Sequence, residues 1–66
     1  MSVARVVEIS AESTKSFEDA IQQGVTRAGE TLHNLRAAWI KEQEVVLKEG
    51  KITGYRVIMK VTFVLD

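Results

Sequence analysis

Along the last third of the chain, apolar and polar side chains alternate with a period of two. Tyr55, Val57, Met59, Val61, Phe63 and Leu65 occupy every second position without a break, the pattern of a strand with one buried face. From Trp39 to Leu65 the chain reads as strand, tight turn, strand, with Glu49-Gly50 at the turn. If those two residues form the loop, Lys48 pairs with Lys51 and the register follows. Ile40 then faces Met59 and Ala38 faces Val61 on one side of the ribbon. On the other side Ala37 faces Thr62, Trp39 faces Lys60, Lys41 faces Ile58 and Gln43 faces Arg56. That second side is also apolar, carrying Ala37, Trp39, Val45, Leu47, Ile52 and Ile58. A ribbon with two apolar faces needs two covers.

Upstream, Val3 to Ile9 is rich in β-branched residues and reads as a first strand, followed by a polar loop over 10–16. The period then changes to 3.6. Phe17, Ala20, Ile21, Gly24, Val25, Ala28, Leu32 and Leu35 form one apolar stripe of a helix. Ser16 with Asp19 resembles a capping box, Ser13 offers a cap one turn earlier, and Asn34 is a plausible terminator. Gly24 lies on the stripe and permits close approach of the helix to the sheet. The expected fold is α+β, with the order β-α-β-β and a three-stranded antiparallel sheet wrapped around one helix, as a single domain over 1–66. One helix covers one face of such a sheet. Self-association is the route left for the other.

Size and composition agree with that route. A chain of 66 residues is near the lower limit for a single unaided core. No cysteine is present, so disulfides and thiolate metal sites are excluded, and His33 as the lone histidine excludes a His-rich cluster. Nine basic residues balance nine acidic ones, which leaves no electrostatic footprint for nucleic acid or an anionic membrane. No apolar run approaches the roughly 20 residues of a membrane span, and no signal-peptide core opens the chain. The expectation is a cytoplasmic protein.

Trp39 is the foremost candidate for chemistry. Its neighbours on the face away from the helix are Lys41, Lys60, Gln43 and Arg56. An exposed indole beside hydrogen-bonding groups suits stacking on a planar small molecule, and it equally suits a contact between subunits, where Trp and Arg are enriched. Arg56 has the geometry to grip a phosphate or carboxylate, or to pair with Glu42, Glu44 or Glu49. Glu42 and Glu44 also suit a hard cation at a symmetry axis where carboxylates from several copies converge. His33 lies near the expected helix end, where a cap role is expected rather than catalysis. No Gly-x-Ser-x-Gly turn and no Gly-rich phosphate loop is present, so no enzyme is expected.

The segments Ser13-Thr14-Lys15-Ser16-Phe17-Glu18-Asp19-Ala20-Ile21 and Arg27-Ala28-Gly29-Glu30-Thr31-Leu32-His33-Asn34-Leu35 resemble the helix region of the dodecins. The ending Tyr55-Arg56-Val57-Ile58-Met59-Lys60-Val61-Thr62-Phe63-Val64-Leu65 resembles their last strand. The resemblance spans nearly the whole chain. It implies a hollow homododecamer of cubic 23 symmetry that binds flavins, FMN or riboflavin, as stacked pairs near the threefold axes. It also implies a storage or protective role without turnover. In flavin-binding dodecins a Trp early in the second strand stacks on the isoalloxazine and a Gln early in the third contacts its polar edge. Here Ala37 stands at the Trp position and Arg56, directly after Tyr55, at the Gln position. Trp39 lies on the same face, roughly 7 Å further along the strand. The resemblance thus marks Trp39, Arg56, Ala37 and Gln43 as flavin-site residues. The departures at Ala37 and Arg56 support the alternative of a flavin-free dodecamer with a structural or calcium- or magnesium-binding role.

Overall fold

The structure, a computed structural model, describes residues 3–65. Strand β1 (Val3–Ser13) leads to helix α1 (Phe17–Gly29), then β2 (Leu35–Lys48) and β3 (Lys51–Leu65). The strands form one antiparallel sheet in the order β1-β3-β2. The last strand therefore lies in the middle and hydrogen-bonds on both sides. The expected β-α-β-β order and antiparallel sheet are both present.

The core is built on the alternation of β3. Val57 and Met59 are fully buried, and Val61 and Phe63 nearly so, beneath Ala20, Gly24 and Ala28 of the helix. Val7, Ile9 and Ala11 of β1, Ile40 and Leu35 of β2, and Phe17, Ile21 and Val25 of α1 surround them. The Phe17 ring meets Tyr55 edge-on, with centroids 5.2 Å apart, which closes the core at the helix N-terminus. Gly24 makes the close approach possible. A Cβ there would overlap Met59 Cε and come within 3.0 Å of Ala11 Cβ.

Both serines offered as caps act on the same helix start. Ser16 is the N-cap, accepting from the Asp19 backbone N–H at 3.0 Å. Ser13, buried at the end of β1, donates its hydroxyl proton to Asp19 Oδ2 and accepts from the Lys15 backbone N–H at 2.9 Å. Asp19 therefore ties strand to helix. The Ser13 and Gln23 hydrogen bonds, and then the charge of Lys15, hold its carboxyl below the ordinary value of 3.8.

Three boundaries differ from the expectation. The helix ends at Gly29, with Glu30 as the C-cap, rather than running on to Asn34. Leu32 lies in the connection and Leu35 opens β2. Leu35 continues the apolar stripe in sequence because it packs against the core from the sheet, and Leu32 is partly buried in the connection. Asn34 does reverse the chain, with φ of 61°, the left-handed conformation that Asn tolerates. His33 consequently sits in the connection, and Arg27 is the basic residue of the last helical turn. Strand β1 runs four residues further than Ile9, and β2 begins at Leu35, ahead of Trp39.

The hairpin turn is as expected. Glu49 and Gly50 both have positive φ, 52° and 77°, as a type I′ turn requires, and Lys48 pairs with Lys51. Between Ile40 and Glu42, however, the register shifts by one residue at Lys41, and it shifts back between Val46 and Leu47. These bulges carry a correction. Ala37, Trp39, Ala38 and Ile40 have the expected partners, but Glu42, not Lys41, faces Ile58, and Gln43 faces Val57 rather than Arg56. Val45 faces Tyr55, and Leu47 faces Ile52. Gln43, Val45, Leu47 and Ile52 therefore belong to the rows on the helix side, where the hairpin extends past the helix and leaves the last three exposed.

Two outcomes follow. Gly24→Ala should lower stability by about 1–2 kcal/mol, because crowding of Met59 and Ala11 exceeds the gain in helix propensity. Urea denaturation measures it, and a stabilised variant would contradict the tight contact. The Asp19 carboxyl, depressed in the folded state, adds stability that is complete above 3.8 and is lost as pH falls through its lower folded value. Asp19→Asn should therefore be less stable than the parent at neutral pH. The difference between the two should close as the solution is acidified below about pH 3.8.

Candidate functional site on the open sheet face

Alternate residues of β3 project away from the helix, and each is flanked by one residue from either edge strand. The rows run Glu12–Arg56–Glu44, Ser10–Ile58–Glu42, Glu8–Lys60–Trp39 and Val6–Thr62–Ala37. The face is thus charged in the middle and apolar toward the Val6 end.

Arg56 is fixed from both sides. Its Nε and Nη2 donate to Glu12 Oε1 at 3.0 and 2.9 Å, and its Nη1 donates to Glu44 Oε1 at 2.9 Å. These bonds, Glu12 first and Glu44 second, raise its pKa above the ordinary arginine value. The guanidinium therefore spans all three strands as a strap. Pairing with an acid was one of the two expected roles, and Glu44 was a named partner. Glu12 is a partner that composition hides, because 10–16 reads as loop while Glu12 lies in β1 opposite Arg56. A second cross-sheet bridge joins Lys41 Nζ at the bulge to Glu8 Oε1 at 3.2 Å.

Trp39 is 65% exposed, the most exposed large hydrophobic residue among those described. Lys60 Nζ lies 5.3 Å from its ring centroid, within cation–π range. Ala37 is in the next row, two residues along the same strand. Trp39, Ala37 and Arg56 therefore share one face, but the Trp39 and Arg56 rows are about 13 Å apart along β3. A shallow cavity of about 320 Å³ opens beside Arg56, lined also by Glu42, Gln43, Glu44 and Ile58. Gln43 borders that cavity although its register places it opposite Val57. A larger groove of about 530 Å³ runs between β1 and the helix, past Ile9, Ala11, Gly24 and Ala28. Among the described residues no group of three or more His, Cys, Asp or Glu side chains is placed to hold a metal ion. No helix is long and apolar enough to cross a membrane.

A family model for the dodecins matches residues 3–66. The chain belongs to the dodecin family. It is 38% identical over 64 residues to a calcium dodecin of Mycobacterium tuberculosis, covering 96% of this chain and 89% of that protein. Among solved structures, a dodecin from Streptomyces davaonensis superposes with a TM-score of 0.93 at 38% identity, covering 98% of this chain and 96% of that one. A calcium dodecin structure from Mycobacterium tuberculosis, described as calcium chelating, superposes with a TM-score of 0.84 at 32% identity over 97% and 91% of the two chains. The dodecin fold therefore extends over essentially all of this chain, including the open face.

The ion-paired face has a measurable consequence. Arg56→Gln leaves Glu12 and Glu44 without their counter-charge. The variant should be less stable than the parent at low ionic strength and should recover toward it as salt screens the carboxylates. Thermal denaturation across a salt series reads this, and parallel curves for the two proteins would show that the strap carries no electrostatic load.

Proposed function

We propose that this dodecin assembles as a closed homododecamer of cubic 23 symmetry and binds a flavin, FMN or riboflavin, on its open sheet face without turnover. The observation that carries the reading is Trp39, a largely exposed indole two residues along β2 from the small side chain of Ala37. A flat π-system stacks well on such a ring. In this reading Trp39 stacks on the ligand, Ala37 leaves space beside it, and Arg56, held between Glu12 and Glu44, borders the site further along the face. Gln43 makes no ligand contact in this reading, since the bulge at Lys41 moves it from the Arg56 row of the open face to the row of Val57. Assembly is supported by the apolar side chains a lone subunit leaves in water. Val45, Leu47 and Ile52 on the hairpin, with Val3 and Leu65 at the other end, are all exposed.

A second reading is favoured by the calcium dodecin relative. Glu42 has no ion pair among the described residues and lies on the open face between the Arg56 and Trp39 rows. A hard cation needs several oxygen ligands, so a calcium or magnesium site here would take Glu42 and its neighbours from more than one copy.

One sample separates these readings. Light scattering should give a mass near about twelve chains; a monomer or dimer would refute the assembly. FMN and riboflavin should quench Trp39 fluorescence at micromolar protein, and Trp39→Ala, followed by the flavin's own fluorescence, should lose the binding. Calcium uptake measured by calorimetry, with no flavin quenching, would establish the second reading in place of the first.

A further inference from the structure

Among the described residues, Arg56, Lys41 and Lys60 lie close together on the open face, and the first two are paired with carboxylates. Arg56 is held by Glu12 and Glu44, and Lys41 by Glu8. Lys60 is directly opposite Glu8 in the β1–β3 register, which makes Glu8 its natural partner. In the structure Lys41, at the bulge, takes Glu8 instead, and the Lys60 ammonium lies over the Trp39 ring.

We propose that Lys60 is the specificity residue of this face and that it selects a planar ligand carrying an anionic tail over its neutral counterpart. The inference rests on flavin stacking at Trp39. A planar molecule settling on the indole face now covered by Lys60 displaces the ammonium and forfeits a cation–π contact. A neutral ligand such as riboflavin returns nothing for that loss. FMN carries the same ring system with a phosphate on a flexible chain. The lysine, a compact charge on a mobile four-carbon stem, swings from the ring to the phosphate, so the lost contact is replaced by a stronger charge–charge one. The discrimination comes from what happens to Lys60 on binding and needs no further contact to the isoalloxazine. It also depends on Lys41, which keeps Glu8 from taking Lys60 out of play.

The test compares FMN and riboflavin by Trp39 quenching on the assembled protein, its Lys60→Gln variant and its Lys41→Gln variant. The parent should bind FMN about fivefold more tightly than riboflavin at low salt, with the preference shrinking as ionic strength rises. Lys60→Gln should abolish the preference by weakening FMN while leaving riboflavin binding equal or tighter. Lys41→Gln should reduce the preference by releasing Glu8 to Lys60. Equal binding of both flavins by the parent, or a preference that survives Lys60→Gln, overturns the assignment of Lys60 and leaves flavin binding standing. Failure of both flavins to quench overturns both.

Discussion

The alternation of β3 between Tyr55 and Phe63 is the constraint on which the remaining structure depends. Because this strand is central, every side chain it buries on one face forces its neighbours in sequence onto the other. Val57, Met59 and Val61 must lie under the helix, which consigns Arg56, Ile58, Lys60 and Thr62 to the open face. The edge strands pair with it in register, so the same parity passes to Glu8 and Glu12 on one side and to Trp39 and Glu44 on the other. A one-residue slip would bury Arg56 and Lys60 and expose Met59, a cost of several kcal/mol in lost burial alone. The candidate site is therefore fixed by the core beneath it. Its charged residues are held at known spacing because apolar residues between them cannot move.

The helix meets this strand through small residues. Ala20, Gly24 and Ala28 form the buried line of α1, so the helix backbone, rather than long side chains, lies against Met59 and Ala11. Bulk is supplied by the sheet, and smoothness by the helix. A 13-residue helix cannot reach the hairpin tip, however, and Val45, Leu47 and Ile52 are left beyond it. The excess apolar surface read in the sequence is real, but it is divided differently. Part lies on the open face around Trp39 and Val6, and part lies on the helix side past the end of the helix. A partner covering only one sheet face would leave the other part in water, so a closed assembly with more than one kind of contact fits the exposed surface better than a simple pair.

What was legible in the residues had strong periodicity or fixed turn chemistry. The alternation from Tyr55 to Leu65, the stripe from Phe17 to Ala28 and the Glu49-Gly50 turn each carry one dominant signal, and each is found where it was read. The misreadings fall where one signal had two causes. Leu32 and Leu35 continue the helical spacing, yet Leu35 is apolar because the start of β2 packs on the core, and Leu32 lies partly buried in the connection. Ser10 to Ser13 reads as loop by composition. Register shows why it is strand: Ser10 and Glu12 face water, whereas Ala11 faces Val57 and Ser13 faces Tyr55. Nothing in Ile40-Lys41-Glu42 announces a bulge, since each of those residues is acceptable in a regular strand. The shift arises from pairing with β3 and becomes visible only when both strands are in place.

That single inserted residue accounts for most of the difference between the open face as read and as found. Without it, Gln43 would lie beside Arg56, and Glu44 would point toward the helix side. With it, Glu44 replaces Gln43 as the flank of Arg56, turning a neutral neighbour into a second carboxylate and the arginine into a strap. The same insertion puts Glu42 opposite Ile58 on the open face in place of Lys41, which stays on that face at the bulge and engages Glu8. Lys60 is left over the indole. The charge pattern around Trp39 is therefore a consequence of backbone register rather than of residue choice at Trp39 itself. For the proposed ligand site, the displaced indole and the freed lysine belong together. An indole moved two residues along β2 lies in the row of Lys60, and Lys41, close after it, takes up the acid that would otherwise hold that lysine.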